Sequence, residues 1–360
     1  MRLLAIPLVL ALLGGCASEK LVLRFDPARA ATAQRIYFPP VSDGEVPRYV
    51  YVGELLGEQN FVAAEAKKKN VLVEALKWVA GVLDLQNPVE LQRPQSGTVD
   101  ENGRILVTDV SRGAVFVFDP DKGSLEVWEY AEGYRRFAAP TGIALGPAGR
   151  VFVADADLKQ VFVLDQQGNG QRLIGPGVLE RPTGLAWDAN AALLYVADTQ
   201  AHQIKVFEMT GRLVRSIGRR GEGPGEFNFP TYLALNKGQL IVADTMNARV
   251  QLITLDDSAP PVILGERGTK VGNFVRPKGV ASDSENNIYV VESYYDHLLI
   301  FDSQARFLLP IGGAGKEAGT FYLPGGVWVD RGNRVFVADT FNGRIAVFQF
   351  LGGGVENAGE

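Results

Sequence analysis

Six carboxylates recur at one kind of place in this chain. Asp109, Asp155, Asp198, Asp244, Glu292 and Asp339 each follow a short apolar run, open a polar turn, and lie 43 to 48 residues apart. Gathered on one face, six acids would suit a bound cation or acid–base chemistry. Their regularity argues for a plainer role, because an Asp at such a turn accepts hydrogen bonds from the backbone N–H groups that follow it. Three positions beyond the acid the turns read Arg112, Leu158, Ala201, Asn247, Tyr295 and Asn342. Five positions beyond it they read Ala114, Gln160, Gln203, Arg249, His297 and Arg344, and an Arg there can pair with the acid across the turn. No single chemistry runs through all six, so any site built on them is asymmetric.

The turn that departs furthest is Glu292-Ser293-Tyr294-Tyr295-Asp296-His297. It has Glu for Asp, Tyr for Asn and His for Arg, and it concentrates aromatic and ionisable groups at one point. Such side chains make protein-recognition hot spots, and a His beside carboxylates can titrate near neutral pH. Glu292, Tyr294, Tyr295, Asp296 and His297 are therefore the candidate binding residues. Sequence drift within one repeat is the plain alternative.

Other chemistry finds little support. Only His202 and His297 are present, so a three-histidine zinc site cannot be assembled, and the single cysteine excludes an intramolecular disulfide or a multi-thiolate metal site. No nucleophile elbow of the Gly-x-Ser-x-Gly type occurs. The run Gly221-Glu222-Gly223-Pro224-Gly225 resembles a phosphate loop but lacks the Lys-Ser/Thr that would complete it. Asp100-Glu101-Asn102-Gly103 reads as a hairpin turn, without the continuation of a calcium loop. A net charge of −5 argues against a nucleic-acid partner. No metal or cofactor is expected on these grounds.

The cysteine is informative by its position. Residues 1–15 carry one positive charge at Arg2, then an apolar run to Leu13 and two glycines, the pattern of a cleaved export signal too short to span a bilayer. Leu13-Gly14-Gly15-Cys16 resembles the bacterial lipobox, which implies cleavage before Cys16 and a lipid on its side chain. A plain secretory signal with a chance cysteine is the alternative. The resemblance implies an exported protein held to the membrane through Cys16. Ala17, where enteric lipoproteins retained in the inner membrane carry Asp, points to the outer membrane, facing the periplasm. Residues 16–47 show little periodicity and contain Pro27, Pro39, Pro40 and Pro47, so they read as a tether.

What must position the six acids is a repeat of strand, tight turn and strand. The stretches 105–118, 151–164, 194–207, 240–253, 288–301 and 335–348 share this plan, the first strand reading as half-buried and the second as alternating apolar and polar. A period in this range with no helix inside it means a repeat architecture. Three repeats end on a further strand and a loop of the form Gly…Gly…Phe…Pro, as in Gly218, Gly225, Phe227 and Pro230. The last repeat lacks that strand, which predicts that residues 48–53 supply it and close a ring. Between Phe61 and Arg93 about thirty residues interrupt the pattern. Val71, Leu72, Ala75, Leu76, Val79, Val82 and Leu83 fall on one helical stripe, predicting a helical insertion over about 62–92 on the same face as the acidic turns. It reads either as a lid packed on the body or as a docking element for a partner.

Pro324/Gly326 with residues 337–344, and Pro230 with residues 242–249, carry the pattern Pro-x-Gly, Val-Ala-Asp-Thr-x-Asn-x-Arg and Gly…Gly…Phe…Pro in its fullest form. This resembles the NHL repeat, the unit of six-bladed β-propellers, over about residues 48–350. The resemblance implies an all-β fold: a six-bladed NHL-type propeller with N- and C-terminal strand closure and one inserted helix, residues 351–360 forming a tail. It implies two kinds of function. One is a non-catalytic binding scaffold for an envelope protein or exported polymer. The other is a hydrolase or lyase that holds a divalent cation in the channel, as lactonase-type propellers do.

Overall fold

The computed structural model describes residues 20–25, 35–64, 88–133, 135–256 and 258–352. Six antiparallel sheets, here blades 1 to 6, begin on the inner strands Pro94–Val99, Pro140–Leu145, Pro182–Asp188, Pro230–Asn236, Pro277–Ser282 and Val327–Val329. Each inner strand packs beside the next, and the sixth packs beside the first, so the blades form a closed ring. Within a blade the strands follow in sequence order from the axis outward; blade 1 runs Pro94–Val99, Ile105–Asp109, Ala114–Asp119 and Ser124–Trp128. The fold is all-β and propeller-like, as the repeat predicts.

Closure occurs where the sequence places it. Tyr49–Leu55 pairs antiparallel with Arg344–Phe350, the third strand of blade 6, with Ile345 opposite Leu55 and Phe350 opposite Tyr49. Tyr37–Phe38 adds a fifth strand outside it, and Leu21–Leu23 pairs with Phe61–Ala63. The described part of the stretch read as a tether therefore packs on the body. Cys16, most of the helical insertion (residues 65–87) and most of the tail lie outside the described residues.

The second and third strands differ from the sequence reading in one respect. They are not half-buried or alternating: Ile105–Asp109, Val151–Asp155 and Ile288–Glu292 are buried at every position, and so is Ala114–Asp119. Each blade is sandwiched between two others, so both of its faces must be apolar. The described core accordingly consists of six clusters, one at each blade–blade interface. Leu106 and Val117 of blade 1 meet Ile143 and Phe162 of blade 2 in one of them. Tyr49 and Tyr51 of the closing strand join the cluster between blades 5 and 6.

Candidate functional site

The turn between the second and third strands and the loop from one blade to the next lie on the same face, because the acids join them. Asp109 Oδ2 accepts from the backbone N–H groups of Gln92 (2.6 Å) and Arg93 (2.9 Å), in the loop that enters blade 1. Asp155, Asp198, Asp244, Glu292 and Asp339 each take at least one amide from the loop entering their own blade in the same way. Amides that follow the acid are also bound in blades 1, 2 and 5, as expected of an Asx-type turn. Blades 3, 4 and 6 use cationic or amide side chains instead, with Lys205 2.7 Å from Asp198, Arg249 2.8 Å from Asp244 and Arg344 2.8 Å from Asp339. All six acids are buried, and each braces a loop against its strand. The ring of carboxylates is architecture.

The Asn and Arg of the fullest repeats have a matching task. Asn342 Nδ2 donates to Gly315 O, while the Arg344 guanidinium donates to the carbonyls of Lys316, Glu317 and Thr320. Asn247 and Arg249 hold the glycine-rich loop at Gly221, Glu222, Gly223 and Glu226 in the same fashion. That loop is a clamped blade connection. Blade 5 also follows a Gly…Gly…Phe loop, but with Tyr295 and His297 in the clamp positions it lacks both groups.

Around Glu292 the five candidate residues come together and then point apart. The Glu292 carboxylate accepts from the amides of Val275, Arg276 and Tyr294, and its burial raises its pKa above the ordinary carboxylate range. Asp296 sits at φ 57°, and its Oδ1 accepts from Leu323 N at 2.6 Å, just ahead of the Pro that opens blade 6. Burial raises its pKa too. The left-handed conformation is shared at this turn position by Gly113, Lys159, His202, Ala248 and Gly343. His202 repeats the bond of Asp296, its Nδ1 accepting from Phe229 N, so both side chains link one blade to the next. His297 lies opposite Glu292 in the strand register and is partly buried. Tyr294 is 55% exposed, its ring edge-to-face with Tyr295 at 5.0 Å.

Tyr294 has counterparts that its own turn does not disclose. Two positions beyond the acid, the six turns carry Ser111, Asp157, Gln200, Met246, Tyr294 and Phe341, all exposed. Blades 1 to 3 present polar groups there, whereas Met246, Tyr294 and Phe341 on blades 4 to 6 are each at least half exposed, at 51%, 55% and 50%. Tyr322 stands edge-to-face with Phe341, and Phe229 with His202, which widens the apolar crescent. Reading the repeats in register at that one column would have found it.

The axis of the ring is plugged at this same face. Two residues beyond Pro140, Pro182, Pro277 and Pro324, on the way into the inner strands of blades 2, 3, 5 and 6, stands Gly, and strands approach so closely there that a Cβ on Gly142 would stand 1.9 Å from Thr183 O. Blade 4 has Tyr232 instead. Its side chain crosses to the opposite blade and its hydroxyl donates to Gln95 O at 2.8 Å. Burial raises the pKa of that hydroxyl, keeping it a donor. Beneath it a cavity of about 270 Å³ is lined by all six inner strands. Its lining side chains among the described residues are apolar apart from Ser96, Thr98, Ser282, Tyr232 and the indoles of Trp187 and Trp328, with no carboxylate or imidazole.

Residues 187–257 match the family model described as a 6-bladed beta-propeller, DUF5128. NHL repeat-containing protein 2 of Bos taurus is 30% identical over 154 residues, covering 33% of this chain and 21% of that protein. Peptidylglycine alpha-amidating monooxygenase of Rattus norvegicus is 29% identical over 164 residues, 41% of this chain and 16% of the rat protein. The chain thus spans about a fifth or less of these relatives. Among solved structures, virginiamycin B lyase from Staphylococcus aureus is similar at a TM-score of 0.53 and 13% identity, over 72% of this chain and 96% of that one. A Bacteroides thetaiotaomicron protein of unknown function gives 0.57 and 16%, over 72% and 70%. At these identities the structural likeness concerns the fold alone.

Proposed function

We propose that this NHL-type six-bladed propeller is a non-catalytic binding scaffold of the bacterial envelope. In this reading it is held to the membrane, the outer one, through lipid on Cys16, and it receives an envelope protein or exported polymer on the face formed by blades 4 to 6. The observation that carries the reading is the split at one turn position. Met246, Tyr294 and Phe341 stand exposed where the other three blades present Ser111, Asp157 and Gln200. An exposed apolar patch on one side of a repeat ring is costly in water and marks contact surface. The channel supports the same reading over cation-dependent hydrolysis or lysis, because its lining offers hydroxyls but no acid or imidazole to hold a cation or move a proton.

Photo-crosslinking in cells separates the two halves of the face. A photoreactive residue at Tyr294 or Phe341 is expected to give the same discrete adduct, one that is absent when the probe replaces Ser111 or Asp157. The paired Tyr294→Ala and Phe341→Ala substitutions should abolish the adduct formed from position 246 while leaving the melting temperature unchanged. Equal adducts from both halves, or persistence in the double variant, would refute the crescent as the binding surface.

A further inference from the structure

The crescent borders the plugged mouth of the channel, and the chemistry there is different. The residue that follows the blade-opening Pro borders this mouth in blade 6, where a Cβ placed on Gly325 would lie 3.6 Å from both Tyr232 Oη and Gln95 Oε1. Blades 2, 3 and 4 have Thr141, Thr183 and Thr231 at that position. Their hydroxyls stitch the ring together, Thr183 Oγ1 donating to Thr231 O at 2.8 Å and Thr231 Oγ1 meeting Thr245 Oγ1 at 2.6 Å. Blade 5 has Lys278 instead. Its side chain is half-buried, and burial together with repulsion from Arg276 and Arg93 lowers its pKa below the ordinary lysine range. Among the described residues none of these three cations has a carboxylate within salt-bridge distance, whereas Arg181, the matching Arg of blade 3, is paired with Asp157. The Arg93 guanidinium lies over the ring of Phe341 at 5.0 Å, which makes the cationic mouth continuous with the crescent.

A half-buried lysine repelled by two exposed arginines and without a carboxylate partner is unfavourable by itself. It becomes favourable when an anion enters. Building on the scaffold reading, we infer that Lys278, Arg276 and Arg93 form a carboxylate seat, and that the partner is a polypeptide segment placing an Asp, Glu or C-terminal carboxylate in the mouth and apolar side chains on Met246, Tyr294 and Phe341. The arrangement is wrong for an extended polyanion. Nucleic acid or acidic polysaccharide needs a track of positive charge, and the far side of this face carries the exposed acids Asp157 and Glu180. A single acidic side chain among apolar ones fits a half-buried lysine with two exposed arginines beside it and a methionine and two aromatic rings on the same face.

The test uses Lys278→Thr, which installs the residue that three other blades carry, and the Tyr294→Ala/Phe341→Ala pair. The probe is a fluorescein-labelled peptide alternating glutamate with leucine and phenylalanine, read by anisotropy against its glutamine counterpart, oligouridylate and an alginate oligomer. The glutamate peptide is expected to bind roughly tenfold or more tighter than the glutamine peptide, and Lys278→Thr to erase most of that difference. Binding should weaken as salt is raised. Equal binding of the two peptides, no measurable binding of the glutamate peptide, or indifference to Lys278→Thr overturns the carboxylate seat. If the aromatic pair still abolishes a photo-crosslink in cells, the crescent reading survives that failure; if both variants are silent, both fall. Tighter binding of oligouridylate or alginate that depends on Lys278 would assign the seat to a polyanion and refute the polypeptide.

Discussion

Arg344 is the residue on which closure of the ring turns. Its Nε donates to Asp339 Oδ2 at 2.8 Å, its Nη1 donates to Glu54 Oε2 at 2.7 Å and to Lys316 O, and its Nη2 donates to Glu317 O and Thr320 O. It thus joins the C-terminal strand of blade 6, the strand brought from the N-terminal side, and the loop that enters the blade. Arg344→Met keeps the apolar stem and removes every donor. Asp339 then loses its cationic partner while fully buried, a change that costs about 3–5 kcal/mol when nothing replaces the partner. Two bonds soften the loss, since Tyr322 N and Asn342 Nδ2 still reach the carboxylate at 2.7 Å. Lys316 and Glu317 are exposed, so their carbonyls can turn to water. The expected cost is therefore about 3 kcal/mol, seen by thermal unfolding as a fall of roughly 6–10 °C. Glu54→Gln is the control. The Glu54 side chain is 28% exposed and its pair with Arg344 is partly solvated, so the loss should stay near 1 kcal/mol or less. A loss below about 1 kcal/mol for Arg344→Met, or equal losses for the two variants, would show that strand pairing alone closes the ring and that the guanidinium network is incidental.

Two further outcomes are expected. Lys278→Thr should raise stability by about 1 kcal/mol at neutral pH, the worth of one inter-blade hydrogen bond, on top of relief from an unpaired charge. A lysine whose pKa in the fold is depressed binds fewer protons folded than unfolded, so native stability rises with pH between its folded and its ordinary value. The gap between variant and wild type, measured by urea unfolding, should therefore be widest at neutral pH and narrow as pH climbs toward the ordinary lysine range; a constant or widening gap refutes a half-buried, repelled ammonium. Cys16→Ser should move the protein from the membrane fraction to the soluble one and abolish its labelling by a clickable palmitate analogue, and unchanged fractionation would count against a lipid anchor.

How much of this the sequence disclosed follows from the physics of repetition. A repeat writes its constraints several times, so Asp339 could be compared with five siblings and read as structural before any contact was known. The closing strand was legible because a missing strand at one end matched a spare one at the other. Burial of both faces of the second and third strands was not, because apolar alternation on one strand does not say how many sheets will flank it. The bond from Glu292 to Arg276 N was invisible for another reason: it runs back to the incoming loop, beyond any local turn pattern. Lys278 was passed over because the motif leaves the residue between Pro and Gly open, and Tyr232 because it reads in sequence only as a missing Gly in one repeat. Their positions acquire meaning only when the strands converge on an axis.

The two kinds of departure then have opposite energetic signs. Asp296 and His202 differ in type from their equivalents, yet each satisfies an amide of the next blade, so these changes restore a contact and need no ligand to explain them. Lys278 gives up a hydroxyl that elsewhere bonds across blades and puts in its place a charge that its surroundings disfavour. Met246, Tyr294 and Phe341 likewise expose apolar surface at a position where Ser, Asp and Gln are accommodated without penalty. A side chain that pays back its own cost inside the fold is uninformative about function; one that does not is compensated from outside it. The uncompensated residues all lie on one face, on blades 4 to 6 and at the mouth beside them. A partner that supplies both a carboxylate and apolar contacts answers both deficits at once.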